Sequence, residues 1–287
     1  MALVGKVAHA FSLGTKEFDP TNRFVTSWIL PPWVLFALRF VFALYILTAR
    51  FVIIGFEKSL YGSFAVRKEF SYFTVLTYWG LGFYFLISSL HTLTYCLTGS
   101  PLLARWPRFL QALHRFYYTT ICIMPVIVTI VYWGVIYDGD WFPTVFAAWE
   151  NISQHAMNLC FASFEIFIPR TPVAPAVHIV FVTVVMLLYV ALAYMTNATV
   201  HFYPYTFLDP GPAGAGSTGK VAGYILGIWI AFIVVFFVYR GIVWGRIWIT
   251  EQKMHMLGKF AARDQRLDMS SPTRGISMVE QETKETV

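Results

Sequence analysis

Charged side chains are scarce in this sequence. Asp, Glu, Lys and Arg make up 13% of its 287 residues, against about 25% in an average soluble domain. That shortage excludes a water-facing surface wrapped around an ordinary globular core. Cysteine is scarcer still: Cys96, Cys122 and Cys160 sit in three separate apolar segments with no C-x-x-C spacing. A disulfide framework and a zinc site are therefore excluded, and the three read as small buried packing residues. The first thirty residues carry Lys6, Lys16, Glu17, Asp19 and Arg23 but no apolar h-region, so no cleavable signal peptide is expected. Long polar stretches are lacking as well, which leaves no room for a separate soluble domain, and no internal repeat is evident.

Familiar catalytic and nucleotide motifs are also missing. There is no G-x-S-x-G and no H-E-x-x-H, which removes the usual hydrolase elbow and the zinc-protease helix. Gly214 to Lys220 resembles a phosphate loop, but Val221 stands where Ser or Thr should follow the lysine, and no strand precedes it. Asn151-Ile-Ser153 and Asn197-Ala-Thr199 match the glycosylation sequon, yet both fall inside apolar segments that a glycosyltransferase cannot reach.

What the chain has in quantity is apolar sequence: 57% hydrophobic residues and a mean hydropathy of +0.61. A spanning helix needs about 20 mostly apolar residues, because lipid offers no partner for bare backbone groups. Segments meeting that need run from Trp33 to about Phe56, Tyr72 to Thr98, and Phe109 to Tyr137 with a kink expected at Pro125. Three more run from Thr144 to Ile168, Val173 to Phe202, and Val221 to about Trp248. The expected fold is thus all-α, a polytopic integral membrane bundle of about six transmembrane helices. Residues 1–32 form an N-terminal segment, 33–249 the membrane domain, and 250–287 a polar tail that begins as a surface helix and frays from about Ser270. Glu57 to Ser71 and the Pro- and Gly-rich Tyr203 to Gly219 read as loops.

The net charge of +6 and a pI near 9.2 point to topology rather than nucleic acid. Lys6, Lys16, Arg23, Arg105, Arg108, Arg170, Lys253, Lys259, Arg263 and Arg266 gather on the side of the termini. That bias places both ends in the cytosol, although Lys58, Arg67 and Lys68 lean the other way.

The fourth apolar segment carries the most chemistry. Asn151, His155, Asn158, Ala162 and Glu165 recur at +4, +3, +4 and +3, a single stripe on a helix. Polar groups at that spacing must face the bundle interior or a wet cavity. They could instead be interhelical glue, worth roughly 0.6–2 kcal/mol per contact. In the first segment, Arg39 lies at the depth of Glu165 and Arg50 at that of Glu150. Pairing would relieve the cost of isolated charges in lipid, while snorkelling to the interface is an equally good reading for each arginine alone. Thr74, Thr77, Ser88, Ser89, His91 and Thr92 line the second segment, and their spacing singles out no nucleophile.

An ordered set of short motifs resembles a known family. Tyr72-Phe-Thr74-Val-Leu-Thr, Tyr132-Trp-Gly-Val-Ile-Tyr137, Trp149-Glu-Asn151-x-x-x-His155 followed ten residues on by Glu165, and Tyr203-Pro with its Pro-Gly-Pro tail occur in this order. Together they are similar to the androgen-induced (FAR/AIG-type) transmembrane proteins over roughly Phe70 to Trp248. The resemblance implies an intramembrane threonine hydrolase of fatty acid esters of hydroxy fatty acids, with Thr74 as nucleophile and His155 as base. It implies no cofactor and no metal, a membrane lipid as substrate, no nucleic-acid partner, and an endomembrane location, the endoplasmic reticulum rather than the plasma membrane. Ile152 stands where the family pattern carries a second histidine, a departure that bears on substrate choice.

The chemistry is coherent. A threonine hydroxyl needs an adjacent base, and Asn151 or Asn158, one turn from His155, could set its tautomer; Glu165 supports the stripe. Depth is the difficulty: at about 1.5 Å per residue, His155 lies roughly 15 Å past Thr144 but Thr74 only about 9 Å past Lys68. Backbone amides, Tyr78 and Asn158 are the candidate oxyanion donors. Two other readings stay open, a transporter or scaffold with a polar path, and a haem-binding electron carrier using His91, His114, His178, His155 and His201.

Overall fold

The structure is a computed structural model that describes residues 18–211 and 218–258. The tail beyond Gly258, with its expected fraying from Ser270, and the 212–217 part of the glycine-rich loop lie outside the described residues. Among those residues there is no strand, only one isolated bridge between Ser27 and Pro169. Five helices are long and apolar enough to cross a membrane: α1 (Pro32–Glu69), α2 (Phe73–Thr98), α3 (Arg108–Ile136), α5 (His178–Val200) and α6 (Thr218–Lys253). Between α3 and α5 lies a sixth helical run, α4 (145–167), whose middle turn, Ser153–Met157, is π-helical. The chain is an all-α membrane bundle.

Local chemistry explains the ends. Pro32 opens α1 at the position where a missing N–H costs nothing. Gly99, in the left-handed region at φ 76°, closes α2, and its N–H bonds the Tyr95 carbonyl at 2.9 Å. The Thr144 hydroxyl caps α4 by accepting from the Ala147 N–H at 3.1 Å. Pro125 sits inside α3 without ending it, and the last turn of α3, Tyr132–Ile136, widens to a π-helix.

Two segments depart from the sequence reading. The stretch from Glu57, expected as a loop, is helical to Glu69, with a bend where Gly62 takes φ 80° and ψ 178°. Among the described residues after Thr250 the chain is not a surface helix: Trp248–Lys253 continues α6 as a π turn with Glu251 buried. Glu251 accepts two hydrogen bonds from Arg23, at 2.8 and 2.7 Å, and pairs with Arg170 at 3.6 Å. Arg23 and Arg170, counted above as loop charges, therefore stitch the start and the end of the described chain together beneath the bundle.

The core is built by aromatic and branched side chains such as Ile46, Leu81, Phe85, Tyr118, Ile123, Phe161 and Phe236, all 5% exposed or less. Helices α1 and α2 approach closely at Gly82, where an added Cβ would stand 2.9 Å from Ile46 Cγ2. Small residues permit such contact between membrane helices. Leu44, Phe51, Leu187, Leu188 and Val234 remain largely exposed, as a lipid-facing surface requires. Cys122 is buried, but Cys160 is exposed and Cys96 half-buried, so only one of the three cysteines is a core packing residue.

Candidate functional site

The polar stripe of α4 runs through the π turn, with His155 inside it and Asn151 and Asn158 on either side. Glu165, on the far side of the turn, binds Arg39 through two hydrogen bonds of 2.7 and 2.8 Å, and both side chains are 0% exposed. Arg39 also donates to the Phe24 carbonyl and to Thr92, each at 2.8 Å, and the Tyr84 phenol donates to Glu165 at 3.3 Å. The Arg39–Glu165 pair is present and satisfied on every side. Asn158 accepts from Thr129 at 3.1 Å. Neither Asn158 nor Glu165 reaches the cavity described next, which corrects their reading as cavity-lining groups.

Asn151, just before the π turn, and His155, within it, line a cavity of about 810 Å³, and Thr74 lines the same cavity. Helix α1 runs on to Glu69 and delivers the chain through a short turn into α2, and Thr74 sits in the first turn of α2, 9% exposed. The imidazole of His155 stacks on the Tyr132 ring with centroids 3.5 Å apart and planes 11° apart. Its Nδ1 lies 3.0 Å from the Asn151 main-chain carbonyl. That carbonyl can only accept, so Nδ1 carries the hydrogen and Nε2 is left as the free base. The Asn151 side chain does a different job, accepting from the Tyr132 phenol at 2.7 Å and donating to the Ala147 carbonyl at 2.9 Å. Asn151 thus orients the histidine through its backbone and holds the stacking ring through its amide. Asn158, the other candidate for setting the tautomer, takes no part.

Thr74 and His155 share the cavity wall but no direct hydrogen bond. The amides that open α2 have no partner within the helix. The Tyr189 phenol accepts from the Phe73 N–H at 3.2 Å and donates to the Ser71 carbonyl at 3.1 Å. The Tyr205 phenol lies against the Thr74 hydroxyl and the main chain of Phe73 and Thr74, and burial raises its pKa. It therefore stays protonated. Tyr132 and Tyr205 are the site residues that reasoning from spacing missed. Each was visible only as a member of a short aromatic motif, with nothing to say what it touched. Tyr78, a candidate oxyanion donor, has a buried hydroxyl without a partner and does not line the cavity.

The cavity wall is also charged, with Glu57, Lys68, Glu69, Glu150, Asp209 and Lys220 on it. Arg50 bonds Glu69 at 2.5 Å and Gln154 at 2.7 Å, and Gln154 donates in turn to Glu150 at 3.2 Å. Glu150, at the depth of Arg50, is thus reached only through Gln154. Elsewhere, the His91 and His114 rings meet edge-on at 5.0 Å, and His178 Nδ1 lies 2.8 Å from the Thr119 hydroxyl. Among the described residues no group of His, Cys, Asp and Glu is arranged to hold a metal ion. Comparison of the chain with known protein families, with curated protein sequences and with solved structures returns no match.

Proposed function

We propose that this protein is an intramembrane hydrolase of fatty acid esters of hydroxy fatty acids, with Thr74 as nucleophile and His155 as general base. The observation that carries the reading is that Thr74 and a histidine with a free Nε2, far apart in sequence, line one cavity. In the proposed reaction Thr74 Oγ attacks the ester carbonyl carbon while its proton passes to His155 Nε2, directly or through one water. The tetrahedral intermediate collapses with cleavage of the C–O bond, and the hydroxy fatty acid leaves with the proton from His155. Water then attacks the acyl-threonine, giving a proton to His155. The bond to Oγ breaks, Thr74 regains a proton, and the free fatty acid departs. The Tyr205 phenol lies beside Thr74, where the oxyanion would form. The charged wall of the cavity is the natural source of water. Both termini are proposed to face the cytosol, and the endoplasmic reticulum is the proposed location.

The test is turnover per folded molecule in lipid vesicles. Thr74→Ala and His155→Ala should each lower turnover by about 10²–10⁴-fold. The double variant should be little worse than either, because residues acting as one unit are not additive. Thr74→Ser keeps an activatable hydroxyl and should retain partial turnover. Thr77→Ala should behave like wild type, since the Thr77 hydroxyl only bonds back to the Thr74 carbonyl at 3.0 Å. A well-folded Thr74→Ala protein working at the wild-type rate would overturn the proposal.

A further inference from the structure

A second cavity, of about 520 Å³, adjoins the first and shares Thr74, Tyr132 and Tyr205 with it. Its volume falls within the roughly 300–1,000 Å³ common for small-molecule sites. The two differ in chemistry. The first carries carboxylates and lysines, whereas the second is walled by α3, α5 and α6 through residues such as Val128, Met186, Val190, Ile225 and Phe232. Its inner end is closed, with Phe232 1% and Ile127 2% exposed. Its outer end is open, with Leu187 62%, Leu226 54% and Trp229 37% exposed on the face that meets lipid. A hydrogen bond of 3.2 Å from the Trp229 indole to the Thr183 hydroxyl ties α5 to α6 across this mouth. An apolar crevice therefore runs from the bilayer, between two membrane helices, and ends at the one hydroxyl placed as nucleophile.

We propose that this crevice is a binding site for a single long unbranched acyl chain, which enters sideways from the bilayer between α5 and α6 and presents its ester carbonyl at Thr74. The proposal rests on the hydrolase reading of Thr74. The fit follows from solvation. A methylene chain leaving lipid for an apolar crevice exchanges one dry surface for another, so its transfer costs little. A free carboxylate would lose all its partners there. The acyl arm is therefore assigned to the crevice. The carboxylate-bearing arm is left to the first, polar cavity, where Lys68 and Lys220 stand among Glu57, Glu69, Glu150 and Asp209.

Two measurements separate this proposal from the reading beneath it. The first is photo-crosslinking of a diazirine-bearing palmitoyl probe to the Thr74→Ala protein in phosphatidylcholine vesicles, with the modified residues mapped by mass spectrometry. Labels should concentrate on 183–190 and 225–232, and excess unlabelled long-chain ester should suppress them. Labels spread evenly over the lipid-facing surface would overturn the proposal. The second is chain-length preference in the active protein. Ile225→Trp fills the crevice, so the kcat/KM of a long-acyl ester relative to a short-acyl ester should fall by about tenfold or more. Leu188→Trp, on the lipid face outside the crevice, should leave that ratio unchanged. An unaltered ratio in folded Ile225→Trp would overturn the crevice assignment even with hydrolysis intact. Concentrated, competable labels in a protein that turns over no ester would refute the hydrolase reading and leave the acyl site standing.

Discussion

The Arg39–Glu165 pair offers the sharpest test of how the bundle is held. Arg39 donates four hydrogen bonds, two to Glu165 and one each to the Phe24 carbonyl and Thr92, and neither partner of the pair is exposed. Through them α1, α2, α4 and the segment before α1 meet at one point. Glu165→Ala leaves a buried guanidinium with two donors unmet, which should lower unfolding free energy by about 3–5 kcal/mol. Arg39→Met strands the carboxylate and should cost a similar amount. The double variant Arg39→Met with Glu165→Leu removes both charges together. Replacing a buried pair by apolar residues is often close to neutral, so it should recover most of the loss. The three variants and wild type form a double-mutant cycle, read by reversible unfolding in detergent–lipid micelles, and the coupling should be large. Singles costing under about 1 kcal/mol, the range of an exposed pair, would refute the reasoning, as would a double variant equal to the sum of the singles. Glu165→Gln, assayed per folded molecule, should keep turnover near the wild-type rate. Normal folding with no turnover would instead put Glu165 in the catalytic set.

Glu251→Gln removes a buried carboxylate that binds both Arg23 and Arg170; the loss should be about 3–5 kcal/mol, with faster proteolysis around Arg23 as the measured sign that the stitch has opened. Gly82→Val forces a side chain against Ile46 and Leu47 and should destabilise the α1–α2 pair by about 1–3 kcal/mol, read as a lower unfolding midpoint with the helix content of the remaining protein unchanged. For the proposed topology, impermeant thiol reagents should label Ser217→Cys and Gly275→Cys from opposite faces of a sealed vesicle, and labelling from the same face would overturn it.

The membrane class was legible in the sequence, because apolar runs of spanning length admit only one kind of solvent. The sequence placed Arg39 and Glu165 at one depth, but an arginine there can pair or snorkel to the interface, and the structure decides for the pair. The first and last spans were read too short because charged residues at their ends looked like loop. Glu69 and Glu251 are helical because Arg50 and Arg23 neutralise them across the bundle, and a partner remote in sequence leaves no local trace. The site was only half visible. Helical spacing put Asn151, His155, Asn158 and Glu165 on one face, but spacing does not say which of them meets a cavity. Asn151 and His155 line one, whereas Asn158 bonds Thr129 and Glu165 binds Arg39 inside the bundle. Spacing alone did not separate Thr74 from Thr77; the resemblance pointed to Thr74, and the structure places Thr74 on the cavity wall beside Tyr205. Which wall of a helix faces a void depends on how its neighbours pack, and a period along one chain cannot carry that.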